Sequence, residues 1–472
     1  MAENKLAQWW RPEAPTERLP GTLFEDGDHG GLRLLIDGHF AQADAEPAAD
    51  GVPRAVRPPL DDVPLLLGTT ADGKLLSLID CRTVKGSGLP GLTKTFQVFR
   101  PTIIAYDVHF ASADEFRLTS LSGRYSNLDQ WVEASGVSYA FPSGNLYPIS
   151  ITYAKPAEVK ATLSNGISVD VDFSVTGPDI GNRREVQIQQ QAWLGVRSSD
   201  ERSYEELLRW LTMVADFVSL GIGQAVRLGE IQAGAMDSES TERPQRTIYF
   251  RLHHNSEPIA PLREDIDPWR MLFTLNDIRE NFAKILEAWC IQQEKIRPLY
   301  SLYFGTLRSA SMYVEHRFLN MFQALESFDR RDFQPTSEAI EKHSQRKNRI
   351  LDAVQIKKDR DWLEGKLRYS HEPSATERLK RLVEKYDASW IFEDAPKEIE
   401  LAGNFRNFYT HYDPKLGSKL PELKRQPLAM HNLAVRFQVL CEIILLREVG
   451  FPADQLKKRI QETQRLERRF VH

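Results

Sequence analysis

The chain has 472 residues, which at about 100 to 200 residues per domain implies two or three domains and excludes one small compact unit. With 41% hydrophobic and 27% charged residues it has ordinary globular composition, excluding wholesale disorder and a membrane-protein composition. The formal net charge of -5 excludes the globally basic footprint of many nucleic-acid binders, so an enzyme acting on RNA would need local basic sites.

The first residues, Met1 to Arg11, lack the apolar core of a signal peptide, and no run approaches the roughly 18 apolar residues of a spanning helix. The expectation is a cytoplasmic protein without membrane contact. Residues 20 to 255 read as short segments of alternating polarity joined by Gly, Pro and Asn turns. Asp72-Gly73 supplies the tight turn between Pro64-to-Thr69 and Leu75-to-Cys81. Gly86-Ser87-Gly88-Leu89-Pro90-Gly91 matches GxGxxG, but Pro90 interrupts it and Thr93-to-Phe99 alternates like a strand, so it reads as a loop and not a dinucleotide cradle.

Asn165-Gly166 opens the clearest strand, with Ile167, Val169, Val171, Phe173 and Val175 on one face and Ser168, Asp170, Asp172 and Ser174 on the other. The two aspartates read as a wet face, not as an acid-base pair. Ser203-x-x-Glu206 then caps an apolar run through Leu207, Leu208, Leu211, Val214 and Val218, a helix expected to pack on the sheet. His253-His254 has no third ligand, and Cys81, Cys290 and Cys441 lie apart without a CxxC pair, so no metal, cofactor or disulfide framework is expected.

Pro258, Pro261 and Pro268 mark a boundary, and from Trp269 the spacing turns helical. The reading is an α+β chain: residues 1–262 form a β-rich antiparallel sandwich or barrel, and residues 263–472 an all-α bundle. Ser311-to-Phe328 is a helix with the stripe Val314, Phe318, Met321, Leu325 and Phe328, and Glu326 on its flank at the water boundary. In the tail, Lys457, Lys458, Arg459, Arg465, Arg468 and Arg469 crowd one helix; a solvated face is the simpler reading of that run.

Glu398 to Pro414 is the segment that carries chemistry. Leu401, Phe405, Phe408 and Tyr412 recur at helical spacing and read as the core stripe, with Asn407 opposite and Arg406 and His411 flanking it. Pro414 disfavours helix at Asp413, which puts His411 in the last turn. An imidazole moves protons near neutral pH, and a guanidinium grips a phosphate with two parallel donors, so the pair suits metal-free cleavage of RNA by its own 2′-hydroxyl. Taken singly, Arg406 reads first as a solvated side chain or a partner of Glu398 or Glu400, and His411 equally as a C-terminal cap.

At Arg406-Asn407-x-x-x-His411 the chain resembles the HEPN superfamily, whose nucleases carry R-x4-6-H, and Ser311-to-Phe328 resembles the leading HEPN helix. Phe322-Gln323-Ala324-Leu325-Glu326, Phe405-Arg406-Asn407 and the Gly30-to-Phe40 strand extend the resemblance to ApeA-like proteins. That resemblance implies an endoribonuclease of anti-phage, abortive-infection defence: a dimer or higher homo-oligomer acting on RNA, with an N-terminal half that senses a phage-derived activator. Arg406, His411, Asn407 and Glu326 are its candidate site residues. The alternative is a catalytically silent HEPN-type module that binds RNA or protein.

Overall fold

The computed structural model describes residues 4–26, 31–40, 62–87, 96–141, 149–178, 181, 184–237, 247–255, 265–309, 311–333, 335–368, 370, 372–412 and 427–467. The GxGxxG stretch from Gly88 on, the prolines Pro258 and Pro261, Asp413, Pro414, Arg468 and Arg469 lie outside the described residues. Two compact units emerge: Met1–Ala215 with Val226–Asp265, and Asp216–Ala225 with Ile266–His472.

The first unit is built on one continuous antiparallel sheet. Strands β1 (Lys5–Trp10), β2 (Leu19–Glu25), β3 (Leu32–Asp37), β4 (Val63–Thr70), β5 (Leu75–Ser87) and β6 (Phe96–Tyr106) run in the order β6-β3-β2-β1-β4-β5. Pairing of β5 with β6 closes them into a six-stranded barrel. Of the two architectures the alternation allows, the barrel is the one formed. Its inward side chains, among them Trp9, Leu34, Ile36, Leu66, Leu78, Phe99 and Ile104, are fully buried, each worth roughly 1.5–3 kcal/mol of hydrophobic stabilisation. Trp9 fits because strand β4 passes it with a glycine: a Cβ on Gly68 would stand 2.4 Å from the indole.

From β6 the sheet continues outward through β14 (Thr247–His254), β13 (Leu228–Met236), β7 (Leu118–Tyr125), β12 (Gln189–Arg202), β11 (Ile167–Thr176) and β10 (Val159–Thr162). The two expected turns form. Gly73 and Gly166 take φ of 82° and 83°, values that glycine adopts without steric cost, and Asn165 Oδ1 accepts from the Ile167 amide at 3.1 Å. Helix α2 (Tyr204–Ile222) starts on the expected capping box, the Glu206 amide donating to Ser203 Oγ at 3.2 Å and the Ser203 amide to Glu206 Oε2 at 3.0 Å. Tyr204 at its start stacks on His254 of β14, rings 5.9 Å apart. The stretch from Asp216 groups instead with the helices, Phe217 lying 5.0 Å from Phe273 and 5.6 Å from Trp289, ring to ring.

In the helical unit, α4 (Phe282–Arg308), α5 (Val314–Asp332), α8 (Ala375–Lys385), α9 (Ala395–His411) and α10 (Pro427–Glu448) form the bundle around a phenylalanine cluster. Phe318 stacks on Phe437 at 5.8 Å and meets Phe405 edge-on at 6.0 Å. The sequence reading undervalued one segment: Leu428–Glu448 is long and apolar enough by composition to cross a membrane, and it is mostly buried in the bundle. Beyond it, α11 (Ala453–Glu462) leads to Arg465, which is buried and grips the buried Glu442 through Nε at 3.0 Å and Nη2 at 3.1 Å. Of the basic run of the tail, Arg459 too is spent on the Met271 and Pro268 carbonyls, while Lys457 and Lys458 are exposed.

Candidate functional site

Helix α9 begins with Asp394 capping the Lys397 amide at 3.3 Å and ends at His411, where Tyr412 turns into the left-handed region at φ 47° and donates its amide to the Phe408 carbonyl. The buried residues of the helix are Ile399, Ala402, Gly403 and Phe405. That is a rotation of the expected stripe: of Leu401, Phe405, Phe408 and Tyr412 only Phe405 is buried, and Tyr412 is 67% exposed. Phe408, Tyr409 and Tyr412 instead pack on one another, ring centres 5.1 to 6.1 Å apart.

The rotation matters for Arg406. At 100° per residue Arg406 falls on the inward side, while Asn407 and His411 project outward. The Arg406 side chain is 33% exposed and reaches α5, where Nη2 lies 3.5 Å from Glu326 Oε2. Its other terminal nitrogen, Nη1, donates to Asn407 Oδ1 at 3.2 Å. Neither Glu398 nor Glu400 holds it; Glu398 pairs with Arg436.

Glu326 is 15% exposed and is shared, its Oε1 lying 3.5 Å from Arg330 one turn on. Arg330 continues to Glu372 at 3.7 Å, Glu372 to Arg378 at 3.0 Å, and Arg378 to the buried Asp329 at 3.3 Å. The carboxylate facing Arg406 is thus tied through a relay of ion pairs into the α5–α8 interface. Sequence reasoning missed Arg330, Glu372 and Arg378, which only tertiary contact brings together; the i,i+4 spacing of Glu326 and Arg330 was the one local signal.

Arg406, Asn407 and Glu326 are brought together. His411 is not drawn into that cluster: it is exposed at the helix end, and among the described residues nothing hydrogen-bonds its ring. The neighbouring Tyr409 hydroxyl has its pKa pushed up, first by burial and then by the charges of Glu315 and Tyr412.

Elsewhere, among the described residues no group of three or more His, Cys, Asp or Glu is placed to hold a metal ion. His253 and His254 both have lowered pKa values, burial being the main cause, and His254 Nδ1 lies 3.2 Å from the Tyr204 hydroxyl. Asp170 departs from its expectation. It is buried, and both oxygens accept from Arg197, at 2.8 Å from Nε and 3.2 Å from Nη2.

Two family models match the chain. Residues 5–289 match the ApeA N-terminal domain 1, and residues 319–455 match the Apea-like HEPN domain. No curated protein and no solved structure matches it.

Proposed function

Because the chain belongs to the ApeA-like HEPN family, we propose that it is a cytoplasmic, metal-independent endoribonuclease of anti-phage, abortive-infection defence, with Arg406 and His411 as its working pair. The family supports an anti-phage HEPN protein; the chemistry and its residues are our reading. The observation that carries it is the Nη1 contact to Asn407. Arg406 is rooted on the inward side of α9, and its guanidinium spans Glu326 of α5 and the exposed Asn407, the neighbour of His411 one turn along the same face.

In the proposed reaction the ribose 2′-oxygen bonds to the adjacent phosphorus, the P–O5′ bond breaks, and the leaving 5′-oxygen takes up a proton. His411 moves a proton at the 2′-oxygen or at the leaving oxygen. Arg406 neutralises charge gathering on the phosphoryl oxygens. Asn407 orients the guanidinium, and Glu326 anchors it from behind. A dimer would bring two α9 ends to one RNA, and the β-rich unit would answer a phage-derived activator.

Purified full-length protein is expected to cut 5′-labelled RNA in EDTA and to leave 2′,3′-cyclic phosphate ends. Equal cutting by the Arg406→Ala/His411→Ala double variant eliminates the proposal. One observation favours the silent module: a guanidinium already neutralised by Glu326 serves phosphate binding as readily as catalysis. RNA binding without cleavage, lost on Arg406→Ala, would establish that reading instead.

A further inference from the structure

The outer face of the extended sheet in the first unit carries a cleft of about 280 Å³, at the lower end of the volumes that hold small ligands. Strand register lays out its floor. One row across the strands runs Ser168, Arg197, Ser120, Gly234, Tyr249, and the next runs Asp170, Gly195, Ser122, Gln232, Arg251. Between the guanidinium of Arg197 and the ring of Tyr249 the first row therefore presents only a hydroxymethyl and a hydrogen. The glycines are required there: a Cβ on Gly195 would come within 2.8 Å of the Asp170 carboxylate, and one on Gly234 within 2.5 Å of Ser120 Oγ.

Arg197 is fixed from behind. Asp170, only 2% exposed, takes its Nε and Nη2 on one side. The remaining edge, with Nη1 unbonded among the described residues, offers parallel N–H donors suited to two adjacent acceptors. A carboxylate, a phosphate or the O6/N7 edge of guanine has that geometry. Charge does not separate them: Asp170, Asp172 and Glu158, the last 3.7 Å from Arg197 Nη2, stand against Arg197, Lys155 at 2.8 Å from Asp172, Lys160 opposite Asp170 on β10, and Arg251 in the second row. Shape separates them, because an exposed aromatic ring in the same row as the fork stacks on a planar base and not on a phosphate or a simple carboxylate. Tyr249 completes the fit: it is 66% exposed in the same row, a ring face available for stacking.

We propose that this cleft binds a guanine base, stacked on Tyr249 and read at O6 and N7 by Arg197. The base would come from a free guanine nucleotide or from an unpaired guanine in a strand. Binding is independent of the nuclease reading and is tested without it.

Isothermal titration of the full chain with guanosine is expected to show binding at least about tenfold tighter than adenosine, which offers a donor where guanine has O6. Arg197→Lys keeps the charge but loses the fork, and Tyr249→Ala removes an exposed ring without threatening the fold; each should weaken guanosine about tenfold or more. Titrations with guanosine monophosphate and with a short oligonucleotide carrying one guanine assign the source by which binds tighter. Absence of guanosine binding at millimolar concentration, guanosine and adenosine binding equally, or affinity untouched by both substitutions overturns the proposal.

Discussion

Arg406→Ala separates chemistry from folding. The contact it removes is a partly exposed ion pair at 3.5 Å, a class worth about 0–1 kcal/mol. The carboxylate left behind is not orphaned, because Arg330 still faces the other oxygen of Glu326 at 3.5 Å. For a unit of this size 1 kcal/mol moves the melting temperature by about 2–4 °C, which bounds the expected shift. Catalysis has a different scale. Removing one donor aimed at developing negative charge costs about 10²–10³ in rate, or 2.7–4 kcal/mol. Single-turnover cleavage of 5′-labelled RNA should therefore fall by that factor while the calorimetric melt barely moves, with Arg406→Lys in between because it keeps the charge and loses the fork. Cleavage indistinguishable from wild type would refute the reasoning, and so would a rate loss accompanied by a large fall in melting temperature.

Glu326→Gln keeps the size of the side chain but frees Arg406 from its anchor; about a tenfold loss of cleavage at unchanged melting temperature is expected, and unchanged or faster cleavage would remove Glu326 from the site. Arg465→Ala strips two donors from the buried Glu442, leaving, among the described residues, the Tyr303 hydroxyl and the Gln438 amide. About 3–5 kcal/mol should be lost in urea unfolding, and a loss below about 1 kcal/mol contradicts the buried pairing. His109, His253 and His254 all have lowered pKa values with burial as the leading cause. The unfolded chain therefore takes up those protons first, and the stability present above a pH of about 6.5 is lost as pH falls through the histidine range; a thermal melt flat between neutral and acidic buffer would disprove it.

Features set by local chemistry were legible in the sequence. The turns at Gly73 and Gly166 and the Ser203–Glu206 capping box depend on residues within a few positions of one another, and they form as read. The barrel was only half legible: alternation marks a sheet but does not say that β6 pairs with β3 on one side and β5 on the other. Asp170 was misread for the same reason. Alternation placed it on an outer face, and its partner Arg197 lies 27 residues away on the neighbouring strand. The stripe of α9 failed differently. Counting large apolar residues favours Phe408 and Tyr412, yet the face that packs closest is the one with the smallest side chains. At Gly403 an added Cβ would stand 2.5 Å from Thr376 Cγ2 near the start of α8, so the helix seats on Ala402 and Gly403, which a hydrophobic pattern passes over.

That seating governs the candidate site. Helix geometry separates Arg406 and His411 by about 7.5 Å along the axis and roughly 140° around it, with Asn407 between them. Were the sequence stripe the packed face, both would stand at its edges and a phosphate could approach from either side. With Ala402 and Gly403 packed inward, Arg406 emerges from the α5 side and the shortest path from its guanidinium to the His411 ring crosses Asn407. A scissile phosphate held by both groups must therefore lie over Asn407, on the outward face of the last two turns of α9. On the proposed reading Asn407 is then a positioning residue whose side-chain length matters: its Oδ1 accepts from Arg406, and a longer or apolar side chain at the same position would stand where the proposed phosphate has to rest.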